Sequence, residues 1–161
     1  MLPSVRHAEI ADADEIATCL AALGYGTSAV LVAERLKAFA DSAADAVFVA
    51  GGSPGAPLFG VASVHLLPMF HAPGQLARLT ALAVRTEAQG RGVGRALVVA
   101  VEAWAWSRDA RRVEVTSGDH RAVAHAFYQA LGYALDERRF LKHAPAAGRG
   151  SFERSRVAPA S

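Results

Sequence analysis

The chain has 161 residues, 52% of them apolar and 20% charged, a composition that excludes a disordered or fibrous protein and suits one globular domain. Seventeen basic residues against fifteen acidic ones leave a net charge of +2, too small an excess to argue for nucleic acid. Cys19 is the only cysteine, which excludes an intrachain disulfide and a cysteine-based zinc site. With neither a leader pattern nor an apolar run of about 18 residues, a cytoplasmic protein with no membrane partner is expected.

Residues 4–7 read as a short strand. Asp12, three residues before Glu15, has the spacing of a capping carboxylate for a helix carrying Ile16, Leu20 and Leu23, which Gly24 and Gly26 end. A second helix is predicted over residues 28–40, with Val30, Leu31, Leu36 and Phe39 on its apolar side. Residues 45–50 and 58–67 read as two strands joined through the turn residues 51–57, and the short connection makes them antiparallel. After the turn at 68–74, residues 76–84 form a long strand that is apolar on both faces and therefore central. A helix is predicted over 92–107, a strand over 113–116 and a helix over 121–131 with Gly132 as its stop. Residues 133–135 and 139–142 read as a final pair of strands. Residues 1–143 would then make the domain, and the Pro- and Gly-containing 144–161 a disordered tail. Trp104 and Trp106 cannot both face the core from one helix, so one of them is a candidate contact of a homodimer.

Strand, glycine-rich turn and helix follow one another at Gln89, Gly90, Arg91, Gly92, Val93 and Gly94, with Arg95 next. Glycines let backbone N–H groups face a ligand, the helix start adds unpaired donors and partial positive charge, and Arg91 and Arg95 add full charges. That combination suits a pyrophosphate. A phosphate loop of the Walker type needs Lys and Ser or Thr where Arg95 and Ala96 stand, and a dinucleotide fingerprint needs its last glycine one residue later. A plain glycine-rich turn is the remaining alternative.

The segment fits the pattern Gln/Arg-x-x-Gly-x-Gly/Ala, and with its element order the chain resembles the GNAT superfamily of N-acetyltransferases over residues 4–142. A second motif of that family is matched by the run from Arg121 through Phe127, Tyr128 and Gly132 to Tyr133. The resemblance implies an α/β (α+β) fold: a mixed, mostly antiparallel sheet of six to seven strands with a splayed central pair, flanked by about four helices. It implies acetyl-CoA as co-substrate, a small primary amine as acceptor, direct attack and no metal. The backbone of Leu82, Ala83 and Val84 would bind pantetheine, and Gln89 to Arg95 the pyrophosphate.

Tyr128 matches the tyrosine that protonates the departing thiolate, with a core aromatic as its bland alternative. A phenol, with a pKa of about 10, is a reasonable acid for that step. Two positions depart from the family. Thr80 stands where members often carry a glutamate base, so Glu114 is a candidate base, with His65, His71 or a water chain as substitutes. Arg121 stands where members often carry asparagine, and it would bind cofactor or cap its own helix. Thr80 also leaves open a non-catalytic acyl-CoA-binding module, and a protein or peptide acetyltransferase is the other alternative.

Overall fold

The computed structural model describes residues 3–116, 122–136 and 139–145, and the chain divides into two compact units, residues 1–116 and 117–161. The first unit runs β1 (Val5–His7), α1 (Ala13–Ala21), α2 (Ala29–Ala40), β2 (Asp45–Gly51), β3 (Leu58–Pro68), β4 (Gln75–Val84), α3 (Val93–Trp106) and β5 (Ala110–Val115), with short 3-10 turns at Ile10–Asp12 and Thr86–Ala88. The second contains α4 (Ala122–Ala130). The sheet order is β1-β2-β3-β4-β5, antiparallel except for the parallel pair β4 and β5.

Among the described residues the sheet thus has five strands, not the six to seven expected. Residues 133–135 and 139–142 carry no strand. Both segments carry large apolar residues, among them Leu135, Phe140 and Leu141, but a strand needs neighbours to pack and pair with. Leu135 and Phe140 remain exposed instead. The expected tail beyond residue 145 lies outside the described residues.

Successive strand residues face opposite sides of the sheet, and this alternation sorts the core. Val49, Val61 and Ala83 pack with Ile16, Cys19, Val32 and Leu36 of α1 and α2. Gly60, the residue before Val61, faces α3, where Val93, Leu97, Val98, Val101 and Trp104 are buried. Each fully buried leucine or valine contributes roughly 1.5–3 kcal/mol. Of the two tryptophans Trp104 turns inward and Trp106 is half exposed.

Asp12 does not cap α1 through its side chain. Its fully buried carboxylate accepts two hydrogen bonds from the Arg6 guanidinium, at 2.8 and 2.9 Å. It also accepts from the backbone N–H groups of Glu9 at 2.8 Å and Gly55 at 3.0 Å. A bidentate guanidinium outcompetes the local cap, and the result ties β1, the entry to α1 and the β2–β3 hairpin to one carboxylate. The hydrogen bonds from Arg6 and then from the two N–H groups hold its pKa at about 2, against an ordinary 3.8 and against the opposing effect of burial.

A folded-state pKa below the unfolded one gives stability that is complete above about pH 4 and lost as pH falls through about 2; the shift corresponds to about 2 kcal/mol. Asp12→Ala should therefore cost about 3 kcal/mol at pH 7. In urea unfolding the gap to wild type should narrow as pH approaches 2, and a gap independent of pH would rule out the ion pair as its source.

Candidate active site

At the end of β4 the chain turns through Thr86–Ala88 into Gln89, Gly90, Arg91 and Gly92 before α3 begins. Gly90 and Gly92 hold φ of +72° and +80°, the left-handed region that side chains disfavour. Buried Ala88 and Val93 pin the two ends of this turn, while Gln89, Gly90 and Arg91 are exposed. Gly92, the N-cap, has no side chain with which to cap α3, so the first-turn N–H groups at Val93, Gly94 and Arg95 are placed for an external acceptor. The Arg91 guanidinium lies 5.9 Å from the centre of the Phe59 ring, and Gln89 Nε2 donates to the Val84 carbonyl at 3.3 Å.

β4 has unequal edges. Toward β3 it pairs along its whole length, with Leu82, Ala83 and Val84 opposite Ala62, Val61 and Gly60. Among the described residues, the pairing toward β5 runs only from Gln75 to Leu79. Alternate backbone groups of an antiparallel strand point to opposite edges, so the stretch from Thr80 to Val84 presents donors and acceptors on an edge that no described strand pairs.

Thr80 lies at the fork and is also a bulge. Ser63 pairs with Ala81 and Val64 with Leu79, so the register skips Thr80. A bulge re-aims its extra side chain, and the Thr80 hydroxyl meets Ser63 Oγ at 2.7 Å and His65 Nε2 at 2.9 Å. His65 Nδ1 is 2.6 Å from Asp45 Oδ1, and Ser42 Oγ donates to Asp45 Oδ2 at 2.6 Å. The Ser42 hydrogen bond and then the one from His65 hold the Asp45 carboxyl below its ordinary pKa. The Phe39 ring of α2 meets the imidazole edge-on with ring centres 5.4 Å apart, which places the group on the α2 side of the sheet.

Asp45, His65, Arg78 and Glu114 are successive register partners across β2, β3, β4 and β5. Glu114 is half-buried; one oxygen accepts from Arg78 at 2.6 Å and the other pairs with Arg112 Nε at 2.8 Å. His71 is exposed in the turn before β4. Sequence reasoning named His65 and Thr80 separately and missed their link and Asp45. Glu15, read from the sequence only as part of a helix cap, accepts from Arg85 at 2.5 Å and from the Leu58 N–H at 3.0 Å and so fastens the start of the turn to α1. Burial pushes the Cys19 thiol up, with Arg85 opposing, which leaves it a core residue. Among the described residues no group of three or more His, Cys, Asp or Glu is placed to hold a metal ion, and no helix is long and apolar enough to cross a membrane.

In the second unit, Tyr128 lies on α4 with its ring edge-on to Phe127 and Tyr133, at centre distances of 5.1 and 5.7 Å. The Tyr133 N–H returns to the Tyr128 carbonyl at 3.0 Å, and Gly132, at φ +92°, ends the helix as expected. Arg121 lies outside the described residues.

The sequence profile of the acetyltransferase (GNAT) family matches residues 23–133, more than half of the chain. The chain belongs to the GNAT acetyltransferase family. Solved structures share the GNAT fold at low identity. A transcriptional regulator from Bacillus halodurans C-125 superposes with a TM-score of 0.78 at 20% identity, over 88% of this chain and 99% of that one. An aminoglycoside N-acetyltransferase in complex with CoA gives 0.75 at 18%, over 88% and 93%. A glucosamine-6-phosphate N-acetyltransferase from Arabidopsis thaliana gives 0.72 at 15%, over 89% and 99%. No curated protein sequence matches.

In this GNAT chain Gly60 sets how closely α3 can approach the glycine turn's end of β4. A Cβ there would lie 2.7 Å from the Ala83 carbonyl oxygen and 3.1 Å from both Leu97 and Val93. Gly60→Ala should cost about 1–3 kcal/mol by overpacking, read as a lower urea midpoint. An unchanged midpoint would mean that α3 shifts without penalty.

Proposed function

We propose that the protein is an acetyl-CoA-dependent N-acetyltransferase that acetylates a primary amine of a small molecule by direct attack. The observation that carries this reading is the fork of β4: a strand edge from Thr80 to Val84, unpaired among the described residues, leads straight into the left-handed glycine turn and the N-terminus of α3. A free edge suits an extended amide-bearing arm such as pantetheine, and the turn and helix start suit its pyrophosphate. Membership of the acetyltransferase family and the CoA complex of one structural neighbour support the same ligand.

In this reading the backbone of Leu82, Ala83 and Val84 pairs with the arm and orients the acetyl carbonyl. Gln89, Gly90, Arg91, Gly92, Val93, Gly94 and Arg95 hold the pyrophosphate, joined by Arg121 on the strength of its motif. The amine nitrogen attacks the thioester carbon, and the carbonyl becomes a tetrahedral oxyanion that fixed backbone donors stabilise. Collapse expels the CoA thiolate, which takes a proton from Tyr128, the residue that matches the family's acid, and the proton shed by the new amide nitrogen restores the phenol. Glu114, the sequence's first candidate base, has both oxygens engaged by guanidinium groups, so it is the weaker candidate on geometry.

Calorimetric titration of the protein with acetyl-CoA should show micromolar binding. With a panel of primary amines, free thiol should be released in proportion to amine. Tyr128→Phe should lower kcat about 100-fold and leave acetyl-CoA affinity within about twofold. Binding without thiol release would favour the acyl-CoA-binding module, and no binding would remove the assignment of the turn.

A further inference from the structure

We propose that Asp45, His65 and Thr80 form a proton relay that takes the proton from the acceptor amine, in place of the carboxylate this chain lacks at position 80. The proposal rests on the acetyltransferase reading for its substrate, but its geometry stands by itself. A carboxylate only accepts hydrogen bonds at neutral pH, so the 2.6 Å contact to Asp45 requires the hydrogen on Nδ1 of His65. In the neutral ring Nε2 is then a bare acceptor. It faces the Thr80 hydroxyl at 2.9 Å, nearer than the competing acceptor, the Ser63 carbonyl, at 3.4 Å. With the Thr80 hydrogen directed at His65, Ser63 Oγ is the donor of their 2.7 Å contact. The chain of donors therefore has one direction, from Thr80 through His65 to Asp45, and Ser42 closes it on the second Asp45 oxygen.

Its outer end is the exposed Thr80 hydroxyl at the fork of β4, beside the edge assigned to the acyl arm. An ammonium group there gives one proton to Thr80 Oγ1 as the Thr80 proton passes to His65 Nε2. The substrate becomes a neutral amine, the threonine is restored and the imidazole becomes an imidazolium facing the Asp45 carboxylate. The ring, 24% exposed, then returns the proton to water. The charged groups around His65 are Asp45 on β2 and Arg78 on β4, the latter turned to Glu114 of β5. α2 presents the uncharged Phe39 ring. Thr80 is the residue that meets the amine; His65 and Asp45 act through it.

Nitrogen NMR of the histidine ring in the wild-type protein tests the geometry without turnover. Neutral His65 should carry its hydrogen on Nδ1, and a dominant Nε2–H form would overturn the relay. Kinetics test the role. Against an amine of the panel, His65→Gln should lose about 100-fold in kcat/KM at neutral pH together with the acidic limb of the wild-type pH profile. Thr80→Val should lose a similar factor, Thr80→Ser should retain the rate within a few-fold, and acetyl-CoA affinity should not change in any of them. A His65→Gln enzyme with the wild-type rate and limb overturns the relay and leaves the acetyltransferase reading intact. A wild type that releases no thiol with any amine removes that reading, and the relay with it.

Discussion

One backbone asymmetry organises the described residues: β4 is paired to its end on one edge and only to Leu79 on the other. Unpaired backbone donors and acceptors along a strand invite another extended chain, and proteins normally cover or shorten such an edge. Here the free stretch is continuous with the left-handed glycines and the start of α3. The bulge falls at the same residue, Thr80, so the point where the edge opens is also where a side chain is re-aimed. Binding and chemistry are thus placed by strand register before any particular side chain is considered.

The acidic residues at the start of α1 serve the scaffold. Asp12 holds Arg6 and the Gly55 N–H; Glu15 holds Arg85 and the Leu58 N–H. Both carboxylates therefore clasp the β2–β3 hairpin, and one reaches the exit of β4 through Arg85. The distance from hairpin to glycine turn is set by buried or half-buried ion pairs that are hydrogen-bonded on several sides. Asp45 uses the same chemistry differently: its partner is an imidazole, which can donate at one nitrogen and accept at the other, where a guanidinium only donates.

What could be read in the sequence was what depends on near neighbours. Gly90 and Gly92 mark a turn because only a missing Cβ makes their conformation cheap, and Gly132 marks a helix end for the same reason. The helices and the strands of the first unit follow from periodicity, to within a few residues at their ends. Long-range pairing was hidden. The Asp12 and Glu15 spacing imitates a capping box, yet Arg6 and Arg85 claim the two carboxylates. His65 and Thr80 are fifteen residues apart, and only a register that skips Thr80 brings them together. The surplus strands expected at 133–135 and 139–142 show the converse: apolar residues such as Leu135 and Phe140 suit a strand, yet they stay exposed and form none.

The order of the strands also says something about time. β2, β3 and β4 are joined by two short hairpins and can close locally, whereas β5 reaches β4 only after the chain has passed through the glycine turn and α3. Closing a parallel pair across a helix brings together residues far apart along the chain, and such contacts are slow to form. The meander can therefore be complete while the turn is still unfixed at one end.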